Sequence, residues 1–251
     1  MSQNINTVKN TVSIIITCHN EEKFITECIN SVLNQSAFDL IYEIIVVIDT
    51  STDSSSKIIK SLAQNNPKIK IYEVNYSSLS KSRNYGVYCS SSKYLAFLDG
   101  DDYWSTDKLK NQINAFTNLD DEYALIYTNY NDFSDQKLND FKRVSVRSFN
   151  KCKNQLTKYF CKDGPIVPSS ILVRSSVIRE IGSFDENLKY YEDTDFYLKI
   201  LEKHKIFHIN DFSCFKRRHQ NQITNKLYKL IPYGDMVIDK AILRNKNLLK
   251  Y

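Results

Sequence analysis

The sequence predicts an α/β fold, a mostly parallel central sheet flanked by helices, and three observations point there. Strand-like runs recur at Val12–Thr17, Glu43–Ile48, Lys68–Val74 and Tyr94–Leu98, and all but the third are almost wholly apolar, as expected of strands buried on both faces. Stretches that read as helices lie between the first three. Polar clusters follow the first, second and fourth runs, and an open parallel sheet gathers its ligands beyond the carboxyl ends of its strands. With 42% hydrophobic and 25% charged residues in a chain of 251, a substantial core can form, which excludes a disordered or fibrous protein.

The elements follow in order. After a polar leader, residues 1–10, Val12–Thr17 is the first strand. Glu21–Gln35 has Ile25, Cys28, Ile29, Val32 and Leu33 on one helical face, with Asn20 suited to cap it and Glu21 and Glu22 at the positive end of its dipole. Glu43–Ile48 is a second strand, Ser54–Ala63 a second helix, Lys68–Val74 a third strand and Tyr94–Leu98 a fourth. Beyond about Leu109 the pattern is mixed: strands at Tyr123–Tyr127, Phe141–Val146 and Ser170–Val173, helices at Asn150–Phe160 and Glu192–Glu202, the latter with Phe196, Tyr197, Ile200 and Leu201 inward. Without a repeat, Pro-rich linker or low-complexity tract, this second half is expected to complete the same domain. The expected division is 11–225 for that domain, in halves 11–110 and 111–225, and 226–251 for a basic amphipathic tail.

Several classes are excluded. No run approaches 18 apolar residues and the leader lacks a signal-peptide core, which argues for the cytosol. The six cysteines form no Cys-x-x-Cys pair and read as buried free thiols. Five glycines cannot assemble a dinucleotide or P-loop fingerprint. Charge is uneven: from Lys203 onward 11 Lys and Arg face 3 Asp, which implies an anionic partner. Nucleic acid is not expected, because no recognised motif or aromatic platform supports it.

Thr17–Asn20, Asp49–Asp53 and Asp99-Gly100-Asp101-Asp102 would lie on one rim of the sheet. Clustered carboxylates there repel one another unless a cation neutralises them, and oxygen ligands suit Mg²⁺ or Mn²⁺ shared with a substrate's phosphates. A calcium EF-hand fails, since counting from Asp99 puts Trp104 where Gly is required and Lys110 where the bidentate Glu belongs. Taken alone, the cluster also fits a solvated acidic turn.

The motifs in series resemble glycosyltransferase family 2, with the GT-A fold. They are Ile14-Ile-Ile-Thr-Cys-His-Asn-Glu21, Ser31-Val-Leu-Asn-Gln35, Glu43–Asp53, Arg83-Asn-Tyr-Gly86 and Leu98–Asp102, in the family's order, and the likeness spans roughly residues 12–224. The resemblance implies a Rossmann-like donor half, a smaller mixed acceptor half, a nucleotide-sugar donor and Mn²⁺ or Mg²⁺. It implies metal ligation by Asp99, Asp101, Asp102 and His219, and donor contacts from Thr17, His19, Asn20, Glu21, Asp49, Arg83, Asp99, Arg217 and Arg218. By residue type alone His19 reads as a surface histidine. Ile48-Asp49 stands where the family often has two aspartates, so base recognition is expected to rest on Asp49; Thr17 replaces a common Pro.

On the acceptor side, Glu192-Asp193 resembles the family's Glu-Asp motif, which implies Asp193 as the base that takes the acceptor's proton. Without the resemblance the pair simply suits a helix N-terminus. The tail from Lys226 interleaves apolar and basic residues and reads either as a helix packed on the domain or as one lying on an anionic membrane surface, which would suit a lipid-linked glycan acceptor. The expected activity is inverting sugar transfer to a hydroxyl of a glycan or lipid-linked acceptor in cell-surface polysaccharide synthesis. The alternatives are a metal-dependent nucleotidyltransferase and a non-catalytic sugar-nucleotide-binding protein.

Overall fold

A computed structural model describes residues 11–134, 141–162, 166–219 and 230–250. The polar leader and the beginning of the tail, Lys226–Lys229, lie outside the described residues. The elements are β1 (Val12–Cys18), α1 (Ile25–Leu33), β2 (Ile41–Asp49), α2 (Ser55–Gln64), β3 (Ile69–Val74), α3 (Leu79–Cys89), β4 (Tyr94–Asp99), β5 (Tyr103–Trp104), α4 (Lys108–Thr117), β6 (Tyr123–Ser134), β7 (Phe141–Val144), α5 (Gln155–Lys162), β8 (Leu172–Arg174), α6 (Ser175–Ile181), α7 (Glu192–Leu201), β9 (Lys205–Arg218) and α8 (Ile231–Arg244).

One sheet runs through both halves in the order β3-β2-β1-β4-β8-β6-β9-β5, with β7 on β6. β3, β2, β1 and β4 are parallel; the apolar runs of β2, β1 and β4 are buried on both faces, whereas the edge strand β3 leaves Lys70 and Glu73 exposed. β8 adds antiparallel to β4 and β6 antiparallel to β8, so the second half is mixed. The chain winds outward from β1 to β3 and then returns to the opposite side of β1 as β4. That reversal opens a crevice beyond the ends of β1 and β4, where open α/β sheets bind ligands.

Three elements depart from the sequence pattern. Helix α1 begins at Ile25 after a turn, and Asn20 does not cap it. Asn20 instead takes a left-handed conformation (φ 58°), and its side-chain oxygen accepts from the Thr52 backbone N–H at 2.7 Å. Helix α3 has no apolar stripe: it buries Ser80, Ser82, Arg83 and Gly86. A Cβ on Gly86 would lie 2.4 Å from Ile15 Cγ2, so the Arg-Asn-x-Gly segment needs glycine for the helix to sit on β1. The basic stretch into Arg218 is strand β9, paired along β6.

Helix α8 packs on the domain through buried Val237 and Ala241, and Leu248 follows it into the same core. Arg244 reaches Asp195 at 2.9 Å and Glu202 at 2.6 Å, and Lys240 pairs with Asp185. Ile231, Ile238, Leu243 and Leu249 remain exposed. Among the described residues no helix is long and apolar enough to cross a membrane. All six cysteines are free; Cys18, Cys28 and Cys214 are buried as expected, whereas Cys161 is exposed and Cys89 and Cys152 are intermediate.

Candidate functional site

The ends of β1, β2 and β4 do share one rim. Thr17, His19, Asn20, Glu21, Asp49, Asp99, Gly100, Asp101 and Asp102 line a cavity of about 660 Å³, the size of a nucleotide-sugar pocket; Ser77, Ser78, Leu79 and Ser82 close one side, and Lys189, Lys216 and His219 enter from the second half. Asn20, Thr50, Ser77 and Tyr191 all have positive φ (58°, 51°, 47° and 58°). Such backbone is costly for side-chain-bearing residues, most of all for β-branched Thr50, and two of the four, Asn20 and Ser77, line the cavity itself.

Asp49 lines the cavity, but its carboxylate is already occupied. Oδ1 accepts from the backbone N–H groups of Tyr76 (2.8 Å) and Ser77 (2.9 Å) and from the Thr50 hydroxyl, and Oδ2 from the Ser78 N–H (3.0 Å) and the Ser82 hydroxyl (2.8 Å). Burial alone would raise its pKa, but the Ser78, Ser77, Ser82 and Tyr76 hydrogen bonds hold it below the usual value. Asp49 thus builds the loop before α3, and a nucleobase N–H could donate to it only by displacing one of these donors. His19 Nδ1 lies 2.7 Å from the Asp49 carbonyl, which ties the first two strand ends together.

Arg83 does not face the cavity as the resemblance implied. It is buried, and its guanidinium spans Asp99 (Nη2–Oδ1 2.8 Å) and Glu192 (Nη1–Oε1 2.7 Å). Desolvation works against that charge, but the Asp99 and Glu192 carboxylates outweigh it and raise the pKa. Burial and the neighbouring Asp193 push Glu192 up to about 7 against the pull of Arg83. Burial likewise raises Asp193, which accepts from the Thr194 N–H at 2.7 Å. The Glu-Asp pair is therefore bolted to the end of β4 through one buried arginine, although Asp193 is not part of the cavity lining itself.

Two of the four metal ligands expected from the sequence come together in a group that could hold a cation. Asp101 and His219 do meet, with His219 Nε2 3.0 Å from Asp101 Oδ2, but the third member is Glu21, assigned above to the donor; ligand atoms of the three lie within 4.8 Å of one another. Asp102 is buried behind them, with Oδ2 accepting from the Ser169 hydroxyl at 2.6 Å and Oδ1 from the Arg217 N–H at 3.0 Å, so it holds the loop. Asp99 offers Oδ1 to Arg83 and to Thr17 Oγ1 at 3.3 Å. Glu21 Oε2 is buried without a hydrogen-bond partner, and burial followed by the charges of Asp101, Asp99 and Asp53 pushes its pKa up to about 8. A divalent cation is the group that would relieve both. Two carboxylates and one imidazole fit Mn²⁺ well and Mg²⁺ acceptably. Gly100 allows this approach, since a Cβ there would lie 2.9 Å from the Thr17 carbonyl and 3.3 Å from Glu21 Cγ.

Neither Arg217 nor Arg218, both expected at the donor, is among the residues that line the cavity. Arg217 is buried between Phe24 and Phe133, donates from Nε to the Asp101 carbonyl at 2.9 Å and pairs with Glu27, which pins β9 to the acidic loop. Arg218 turns away to Asp132 at 2.8 Å. Lys189 and Lys216 were missed; nothing local in the sequence separates them from the chain's other lysines.

Residues 13–182 match the family model described as Glycosyl transferase family 2. An uncharacterized glycosyltransferase of Rickettsia typhi is 30% identical over 221 residues, covering 88% of this chain and 68% of its own. Minor teichoic acid biosynthesis protein GgaA of Bacillus subtilis is 32% identical over 221 residues, covering 84% of this chain and 48% of its own. Among solved structures, S. aureus TarS 1–349 in complex with UDP superposes with a TM-score of 0.69 at 21% identity over 93% of this chain and 65% of that one. The UDP-GlcNAc complex of TarS 1–349 gives 0.68 at 21%, over 84% and 60%. The chain thus spans less than two thirds of those TarS chains, and the likeness to them is one of fold, the GT-A sheet flanked by helices.

Proposed function

The chain belongs to glycosyltransferase family 2 and is a glycosyltransferase, and from that premise we propose that it is a metal-dependent, inverting enzyme that moves a sugar from a UDP-sugar to a hydroxyl of a glycan or lipid-linked acceptor. The observation that carries this reading is the buried Arg83 bridge, which ties a proton-accepting pair, Glu192 and Asp193, to the strand end that borders the donor cavity. A non-catalytic binding protein would need no such pair. The choice of UDP is supported by the solved TarS complexes with UDP and UDP-GlcNAc, and a cell-surface polymer product by the likeness to GgaA.

In this mechanism the loop organised by Asp49, with Ser77 and Ser78, faces the nucleoside, and Thr17 and His19 line the path from it to the acidic rim. Glu21, Asp101 and His219 would hold the divalent cation, which when bound supplies positive charge against the diphosphate leaving group. Asp193 accepts the proton of the acceptor hydroxyl as its oxygen attacks the anomeric carbon. The new C–O bond forms as the sugar–phosphate bond breaks on the opposite face, and the diphosphate leaves with the electron pair. A carboxyl pKa raised by burial suits that task near neutral pH. The proposal extends to a cytoplasmic enzyme touching the inner membrane face, supported by exposed Ile231, Ile238, Leu243 and Leu249 together with exposed Lys246 and Lys250.

Titration calorimetry of UDP with Mn²⁺ and then with EDTA, followed by turnover of a nucleotide-sugar panel, tests the reading. Tight binding only with the cation is expected, and Asp193→Asn should lower turnover by about 10²–10⁴ while keeping UDP affinity. Equal UDP affinity in EDTA, or near-normal turnover of Asp193→Asn, would overturn it.

A further inference from the structure

Two cations on the cavity wall are not used by the donor-side chemistry. Lys189 lies in the segment leading into α7, and Lys216 lies on β9; both line the cavity. Neither has an acidic ion-pair partner among the described residues, because the neighbouring carboxylates are committed elsewhere. Asp185 pairs with Lys240, Glu186 accepts from Asn84, Glu192 pairs with Arg83 and Asp132 with Arg218. Lys216 has the Tyr130 ring 6.0 Å away, and its positive charge reaches Asp193, where it opposes the effect of burial.

Both lysines enter from the second half of the chain, which gives the metal group His219 but neither Glu21 nor Asp101, and Lys189 precedes Glu192 by three residues. Five carboxyl groups, those of Glu21, Asp49, Asp99, Asp101 and Asp102, also line the cavity, and although burial raises the pKa of Glu21 and Asp102, the negative charge that remains would repel an anionic acceptor unless cations met it on the Asp193 side. A neutral sugar hydroxyl would need no such cations.

Resting on the transfer reaction above, we propose that Lys189 and Lys216 form a phosphate-binding subsite beside Asp193, and that the acceptor carries a phosphate near its reacting hydroxyl. The ammonium groups donate to the phosphate oxygens, orient the hydroxyl toward Asp193 and screen its approach to the acidic rim. The same chemistry would also suit the donor's diphosphate, so the test must separate the two sources.

The probes are sn-glycerol 3-phosphate, glycerol, and UDP with Mn²⁺, titrated into the full chain and into Lys189→Gln/Lys216→Gln and Lys189→Arg/Lys216→Arg double variants. Glycerol 3-phosphate should bind the wild type better than glycerol. Its affinity should fall about 10- to 100-fold in the glutamine variant and be largely kept in the arginine variant, while UDP affinity stays within about threefold. Indistinguishable binding of glycerol and glycerol 3-phosphate would overturn the subsite. A loss of UDP affinity in the glutamine variant would assign the lysines to the donor and overturn the acceptor claim. A wild type that selects glycerol 3-phosphate but fails to bind UDP would leave the subsite standing and sink the UDP-donor reading instead.

Discussion

Replacing Arg83 by methionine isolates the bridge between the two halves of the site. The guanidinium, 2% exposed, neutralises Glu192 at 2.7 Å and Asp99 at 2.8 Å, whose side chains are 10% and 30% exposed. Methionine fills much of the volume but leaves both carboxylates without their cation, and breaking such a buried pair costs about 3–5 kcal/mol. The pH dependence carries the sharper information. Glu192 has a folded pKa of about 7 against an ordinary 4.5, so its contribution to stability is full below about pH 4.5 and is lost as pH rises through 7. Without Arg83 the folded pKa moves higher still. The variant can then escape the penalty by protonating Glu192 at pH 5 but not at pH 8.5, and each further pKa unit adds about 1.4 kcal/mol to the difference. Urea denaturation at pH 5, 7 and 8.5 should show a destabilisation that grows with pH. A loss below about 1 kcal/mol, or one independent of pH, would refute the buried bridge.

Lys108 is fully buried, with its ammonium 3.7 Å from the Trp104 ring centroid and one hydrogen bond to the Ile171 carbonyl, and burial lowers its pKa to about 7. The unfolded chain keeps that proton to about pH 10, so wild-type stability should rise from pH 7 toward 10; Lys108→Met should gain about 2–4 kcal/mol at pH 7 in thermal or urea unfolding, an advantage that shrinks on that climb. Asp49→Ala strips three backbone N–H groups and two hydroxyls of their acceptor and should cost about 2–4 kcal/mol together with UDP affinity; a normal urea midpoint with normal titration would contradict its role in the loop. Gly100→Ala should push Glu21 away from Asp101 and cost about 1–3 kcal/mol, and the gain in UDP affinity on adding Mn²⁺ should shrink. An unchanged Mn²⁺ effect would show that Glu21 is not in the metal group.

Strands β1, β2 and β4 were readable because each is a short apolar run buried on both faces, a pattern that needs no knowledge of neighbours, and the edge strand β3 because Ile69, Ile71 and Val74 interleave with exposed Lys70 and Glu73. Helix α3 was not, since it buries Ser80, Ser82 and Arg83 where periodicity looks for apolar residues, whereas α4 does carry Leu109, Ile113 and Phe116 on one buried face beside Lys108 and Gln112. The rim was readable for a related reason: polar clusters after buried strands have nowhere else to go. The division of labour within it was not, because each carboxylate's role depends on partners far along the chain. Arg83 meets Glu192 across 109 positions, and the Arg217 N–H meets Asp102 across 115. Glu21 was assigned to the donor because its sequence context marks only the loop after β1, while its orphaned oxygen and its nearness to His219 exist only in three dimensions.

Strand β9 explains how the second half completes a site begun by the first. Its register on β6 jumps from Ile209 opposite Thr128 to Cys214 opposite Tyr130, and the extra residues are held by Asn129 to Asn210 at 2.8 Å and by Asn131 to the Phe212 carbonyl at 2.7 Å. Beyond this bulge, alternation along the strand gives successive residues different tasks. Arg217 turns inward to clamp the Asp101 carbonyl and donates its N–H to Asp102, Lys216 lines the cavity, and His219 follows the strand to reach Asp101. Because side chains alternate with period two, a one-residue slip in β9 would exchange the faces of Lys216 and Arg217 and leave Asp102 without its backbone donor. The bulge therefore fixes more than strand pairing. It sets which cation supports the acidic loop and which lines the cavity, so the acidic rim of the first half meets its partners from β9 only when this register is in place.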